Sequence, residues 1–109
     1  MSAAHDLGCV ADLCVDLVLR GDEKPRYGQE EQLFAGYALE LGGSGTIVCA
    51  QFAKLGGRVR LIGAVGDDDL GTDALDELRA ARVDVGAVQR LAGIATGVAL
   101  IVVDRDGDN

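Results

Sequence analysis

Apolar positions along the chain form short runs separated by glycine-rich breaks, and their spacing changes from run to run. Leu7 to Ala11 reads as a short strand, and Leu13 to Leu19 continues the extended, β-branched character. Arg20 to Gln29 is polar and carries Gly21, Pro25 and Gly28, which marks a connection. From Glu30 to Leu41 the apolar residues alternate at Leu33, Ala35, Tyr37, Leu39 and Leu41. That period of two predicts a half-exposed strand whose odd-numbered face is buried or closes over something. Gly42-Gly43-Ser44-Gly45 then breaks the chain. Thr46 to Leu55 follows as a helix, with Val48, Phe52 and Leu55 at helical spacing and Ile47 and Cys49 widening the stripe. Lys54 suits the helix C-terminus and Gly56-Gly57 the stop.

Val59 to Val65 reads as a strand with Val59, Leu61 and Val65 on one face. After Gly66-Asp67-Asp68-Asp69 a second helix is expected from Leu70 to Arg82, capped by Asp68 or Asp69, with Leu75 and Leu78 inward. A short extended piece covers Val85 to Leu91. Val98 to Val103 is a continuous apolar run, as expected of a strand covered on both faces. Strand, helix, strand, helix, strand is the alternation of a parallel α/β sheet, and the Glu30–Leu41 segment reads as an insertion into it. Asp104-Arg105-Asp106-Gly107 is a hairpin-turn signal with no returning strand after it, so the chain reads as the N-terminal part of a larger protein.

With 109 residues and 49% hydrophobic content, the chain suffices for one domain and is too apolar for a disordered tail. It has no apolar run of membrane-spanning length and no secretory signal pattern, so a cytoplasmic location is the default expectation. Ten Lys and Arg against 18 Asp and Glu give a net charge of −8, with no basic run. Nucleic acid and anionic membranes are therefore not expected as partners. Cys9, Cys14 and Cys49 are an odd number without a C-x-x-C pair, so they read as small buried hydrophobes rather than disulfides or zinc ligands. His5, the sole histidine, reads as terminal surface.

Three motifs carry candidate chemistry. The stretch Gly42–Gly45 stands directly before a helix, where bare backbone N–H groups favour anions or hydroxyl oxygens. It reads equally well as a tight strand-to-helix junction. It lacks the Gly-Lys-Ser/Thr of a phosphate loop and the G-x-G-x-x-G of a dinucleotide site. Asp12 and Asp16 fall near the end of the first extended region, where a carboxylate can accept hydrogen bonds from vicinal hydroxyls, or stand simply as a solvated turn residue. Asp67-Asp68-Asp69 reads as cap and solvated turn sooner than as a metal cluster, because consecutive carboxylates diverge. No Ser–His–Asp or Cys–His nucleophilic set can be assembled.

The stretch GGSGTIVCAQFAKLGGRVRLIGAVGDDDLG, Gly42 to Gly71, resembles the first signature region of the PfkB-type carbohydrate kinases, the ribokinase-like family. ADLCVDLVL resembles that family's first strand with its substrate aspartate, which falls on Asp16, and Thr96-Gly97-Val98-Ala99 and Asp106-Gly107 resemble later elements. The likeness covers about residues 6–109. The chain departs from the family at Ile47, where the pattern has a sugar-binding Asn, at Cys49, where it has a small Ser, Thr or Ala, and at Ala11, often Gly. An unmet hydroxyl at the Ile47 position costs about 1–2 kcal/mol.

The resemblance implies an α/β fold: a partial ribokinase-like three-layer parallel sheet with a small β-lid insertion at about residues 20–41. It implies that the full protein transfers the ATP γ-phosphoryl group to a hydroxyl of a sugar or nucleoside, with ATP and Mg as cofactors. Asp16, Gly42, Gly43, Ser44 and Ile47 would form the substrate-binding residues, and the lid would exclude water and pair with a second subunit in a homodimer. The catalytic Gly-Ala-Gly-Asp motif and the nucleotide-binding half have no counterpart here, since Gly63–Asp68 (GAVGDD) is not that motif. The chain alone is therefore expected to bind neither cofactor fully and to be inactive. A non-catalytic sugar-binding module of the same fold is the alternative, and a nucleotide-binding α/β domain of another kind is disfavoured by the missing phosphate loop.

Overall fold

The structure is a computed structural model that describes residues 4–28 and 31–109. Gln29 and Glu30, where the expected polar connection ends and the alternating segment begins, lie outside the described residues, as does the start of the N-terminus. Eight elements follow in order: β1 (Leu7–Val10), β2 (Cys14–Arg20), β3 (Gly36–Gly42), α1 (Ser44–Lys54), β4 (Val59–Gly66), α2 (Asp69–Ala80), β5 (Asp84–Leu91) and β6 (Gly97–Val103).

The strands divide into two sheets. The first is parallel, in the order β1-β4-β5, and the second runs β3-β2-β6. Alternation along β4 puts Val59, Leu61 and Val65 on one face, all at most 3% exposed, as the sequence predicts. Against that face pack Cys49 and Ala53 of α1 and Leu75 and Leu78 of α2, with Val85 of β5. Among the described residues no helix covers the opposite face, and Val10 and Ile62 stand exposed on it. The described residues thus supply two layers of the expected three.

The second sheet combines an antiparallel pair, β2 with β3, and a parallel pair, β2 with β6. Its near end meets the helices, where Val15 and Leu41 share a small cavity with Leu70 and Ala74 of α2. The molecule is 58 Å long with a radius of gyration of 16.4 Å, against about 13 Å for a compact domain of this size.

Three expectations need correction. Val98–Val103 is not a doubly covered strand of the parallel sheet. It is the edge strand β6 of the second sheet, with Val98 and Leu100 exposed. Its apolar run satisfies a sheet whose second face is bare, which periodicity alone does not distinguish from a buried one. The odd-numbered positions of β3 are likewise not buried along their length: Tyr37 is 75% and Leu39 53% exposed, and only Leu41 is partly covered. In α1 the inward stripe is Thr46, Cys49 and Ala53, with Phe52 partly buried, while Ile47, Val48 and Leu55 face outward. A polar threonine holds the innermost position because its hydroxyl meets backbone carbonyls there, as described below. His5 is exposed, as expected, and its Nε2, 2.9 Å from Asp84 Oδ2, joins the Asp6–Arg58 pair in tying the terminus to the parallel sheet.

Candidate functional site

An open cleft of about 1000 Å³ lies where the chain leaves the parallel sheet for the second one. Its walls include Val10 at the end of β1, Ile62 to Ala64 of β4, Ala87 and Gln89 of β5, the 11–13 linker, Cys14, and Gly43 to Gly45. It therefore sits beside the carboxyl end of β1 and over the N-terminus of α1, the usual position of a ligand in an open α/β sheet.

Glycines build this corner. Gly43 is the N-cap of α1 with φ 92°, and a Cβ there would lie 2.4 Å from the Asp12 carbonyl oxygen. A Cβ on Gly45 would lie 2.2 Å from the Ala11 Cβ, so the helix backbone packs directly on the Ala11 methyl. No side chain caps α1. The unbonded amides of its first turn open toward the cleft and can meet a hydroxyl or phosphoryl oxygen. Thr46 fixes the turn from behind: fully buried, its hydroxyl donates to the Gly43 carbonyl (2.6 Å) and to that of Gly42.

Asp16 stands on β2 with its side chain over the last residue of β3. A Cβ on Gly42 would lie 2.3 Å from Asp16 Oδ1 and 2.8 Å from Cys14 Sγ. The Cys14 thiol donates to Asp16 Oδ1 at 3.8 Å, and burial, followed by the Asp16 charge, raises its pKa. The thiol thus stays protonated and able to donate at neutral pH. Register also places Glu40 directly opposite Asp16.

Among the residues predicted from the sequence, Gly43 and Ser44 line the cleft, whereas Asp16 and the buried Gly42 beneath it adjoin the lining residues Cys14 and Gly43 but are not themselves part of the lining. Ile47 is on the first turn of α1, half exposed and outside the cleft lining. Asp12 does line it. Cys14 and Thr46 were not foreseen as parts of this corner. Cys14 is half-buried rather than a core hydrophobe, because glycines flank it on both neighbouring strands. Only Cys49 meets the expectation in full. Burial, then a hydrogen bond with Cys9, pushes its thiol up to about 11, which makes it inert.

The aspartate triplet resolves into separate tasks. Asp68 caps α2 by accepting from Gly71 N (2.8 Å), and it also accepts from Thr96 N (2.8 Å) and the Thr96 hydroxyl (2.6 Å). These bonds, the Thr96 hydroxyl first, hold its carboxyl below the ordinary aspartate range. Asp67 pairs with Arg90. Among the described residues no three His, Cys, Asp or Glu side chains gather to hold a metal, and no helix is long and apolar enough to cross a membrane.

Comparison with known proteins gives a consistent result. The pattern of the pfkB family carbohydrate kinases matches residues 4–109. A ribokinase from Bacillus subtilis is 35% identical over 102 residues, covering 93% of this chain and 34% of the relative. A guanosine-inosine kinase from Exiguobacterium acetylicum is 39% identical over 67 residues, 62% of this chain and 22% of that protein. The structure of Arabidopsis thaliana ribokinase complexed with ribose and ATP superposes with a TM-score of 0.87 at 25% identity, over 98% of this chain and 35% of that one. The chain spans about a third of the length of curated relatives such as the Bacillus subtilis and Mus musculus ribokinases.

Proposed function

Because the chain belongs to the pfkB family of carbohydrate kinases, we propose that it forms the acceptor-binding part of an ATP-dependent kinase that phosphorylates a hydroxyl of a sugar or nucleoside. The observation that carries this reading is the Asp16 carboxylate, seated over Gly42, the residue that leads into the uncapped N-terminus of α1, where Gly43 and Ser44 line the cleft. Asp16 would accept hydrogen bonds from acceptor hydroxyls, and Gly43 and Ser44 would supply backbone donors. Ile47 would add an apolar contact once the cleft is closed. The sheet β3-β2-β6 would act as the lid, shutting out water that competes for the phosphoryl group.

ATP supplies the transferable phosphoryl group, and the family relatives support its use. The residues of this chain that fit a phosphoryl oxygen are the first-turn amides of α1. Among the described residues no three His, Cys, Asp or Glu side chains gather that would hold Mg. The bare lid face, with Tyr37 and Leu100 exposed, supports pairing with a second subunit, and a cytoplasmic setting would supply the ATP.

The test is ADP formation by the full-length polypeptide carrying this sequence, assayed against neutral pentoses, hexoses and nucleosides. Acceptor-dependent ADP release that falls roughly 100-fold or more in Asp16→Asn supports the reading. Acceptor binding without ADP release would favour a non-catalytic sugar-binding module, and no response to any acceptor would refute both.

A further inference from the structure

We propose that Thr96, held by Asp68, is a positioning residue for the reaction: it fixes where the second sheet joins the helical layers and so sets how tightly the lid excludes water. The inference rests on the functional reading above, in which that sheet is the lid.

Thr46 and Thr96 are the two buried polar side chains among the described residues, and each stands at an end of the second sheet. Thr46 bonds the carbonyl of Gly42, the last residue of β3, and Thr96 directly precedes Gly97, the first residue of β6. Thr96 has the denser set of partners. Its hydroxyl donates to Asp68 Oδ1 at 2.6 Å and accepts from Gly66 N at 2.9 Å, while its own N–H donates to Asp68 Oδ2 at 2.8 Å. One residue thus engages both oxygens of the Asp68 carboxylate, and hydrogen bonds to an ionised carboxylate are roughly twice as strong as neutral ones. The last residue of β4, the N-cap of α2 and the residue before β6 meet at a single junction.

Absent side chains let the parts of this junction touch. A Cβ on Gly66 would lie 2.2 Å from the Ile94 carbonyl oxygen and 2.6 Å from Thr96 N, and one on Gly71 would lie 2.9 Å from the Thr96 hydroxyl. Residues 94–96 therefore rest on the bare backbones of β4 and of the first turn of α2. Arg90 braces the same turn from β5, bonding the Asp68 carbonyl and the Thr72 hydroxyl and pairing with Asp67. Past Gly97 the packing is open. Val98 and Leu100 are exposed, and a cavity of about 130 Å³ separates Val15 and Leu41 of the sheet from Leu70 and Ala74 of α2.

A sheet firmly seated at its root, with free space beside it, can close as one body. Without the Thr96 hydroxyl the root loosens, β6 parts from its seat, and water enters the closed site. Water oxygen would then bond to the γ-phosphorus of ATP in place of the acceptor hydroxyl while the bond to the bridging oxygen breaks. The products are ADP, inorganic phosphate and a proton, with no acceptor phosphorylated.

The test uses the full-length enzyme and compares ADP formed with acceptor phosphorylated. Thr96→Val keeps the side-chain shape and removes the hydroxyl. It should raise the acceptor KM, and the share of ADP unmatched by phosphorylated acceptor, roughly tenfold each, with a smaller change in kcat. Thr96→Ser restores the hydroxyl and should bring both back to within about twofold of the native enzyme. Val85→Ala, a core truncation away from the junction, shows what lost stability does by itself. A Thr96→Val enzyme that melts earlier but keeps its KM and its coupling, as Val85→Ala should, overturns the inference. Hydrogen exchange on the native enzyme needs no variant. The Gly66, Gly71 and Thr96 amides should stay protected with or without acceptor, while the β6 amides gain roughly tenfold protection when acceptor binds. Exchange at Thr96 as fast as along β6 overturns the inference and leaves the kinase reading intact, whereas ADP formation that no acceptor stimulates overturns both.

Discussion

The Asp16 carboxylate occupies the space that a side chain on Gly42 would need, with Oδ1 only 2.3 Å from where a Cβ would be. Gly42 is required there by its neighbour rather than by its own backbone, since it is not among the glycines with positive φ. Gly42→Ala should push the Asp16 side chain aside while leaving the fold intact. Acceptor binding by the full-length protein should weaken roughly tenfold or more, about 1.4 kcal/mol. Calorimetry alongside circular dichroism checks this, and unchanged affinity would show that Asp16 does not grip the acceptor in this position.

Thr46 is a threonine at the innermost position of an otherwise apolar helix face, and its hydroxyl serves the carbonyls of Gly42 and Gly43. Thr46→Val keeps the shape and removes the donor. Stability should fall by about 1–3 kcal/mol, the usual cost of stranding buried polar groups, as read by urea denaturation.

Arg82 follows the end of α2 with φ 67°, the left-handed conformation that favours glycine. Arg82 N donates to Arg79 O and Val83 N to Leu78 O, so the turn is a fully bonded helix stop. Arg82→Gly relieves the steric cost and should raise stability by about 0.5–1 kcal/mol, net of glycine's extra chain entropy. A lower urea midpoint would count against this.

Asp68 has its carboxyl held below the ordinary aspartate value of 3.8, first by the Thr96 hydroxyl, then by the Thr96 and Gly71 amides. A depressed folded pKa contributes stability above the unfolded value and loses it as the pH falls through the folded one. The melting-temperature gap between the native protein and Asp68→Asn should therefore be widest near neutrality and close as the pH drops below about 3.8. At neutral pH the variant should melt on the order of 5 °C lower, from loss of the cap and the Thr96 bonds.

Much of this architecture is legible in the residues. Helix and strand positions follow from the glycine breaks and from stripes such as Val59-Leu61-Val65, and element ends shift by only one or two residues, apart from the alternating segment, whose strand begins at Gly36. Partnership is harder to read. The apolar run of β6 looks the same whether it enters a buried parallel sheet or the edge of a second sheet, because the distinction lies in long-range pairing with β2. The candidate site divides in the same way. Gly43 and Ser44 announce themselves as a junction before a helix, whereas the Asp16–Glu40 juxtaposition and the Cys14 contact depend on strand register, which no local pattern states. Thr46 gave no signal as an inward residue, since polarity argued the reverse.

Among the described residues, the second sheet is joined to the first through three covalent links that all meet it at one row, Gly42–Cys14–Gly97. From that row β2 runs six residues to Arg20, about 20 Å at the usual rise per residue. The sheet is therefore a lever with its fulcrum between two glycines. A tilt of about 10° at the fulcrum carries the far end about 3.5 Å, on a 20 Å arm set by the same rise, while Asp16, two residues from the pivot, hardly moves. Swinging the sheet and holding Asp16 still are in this geometry compatible demands.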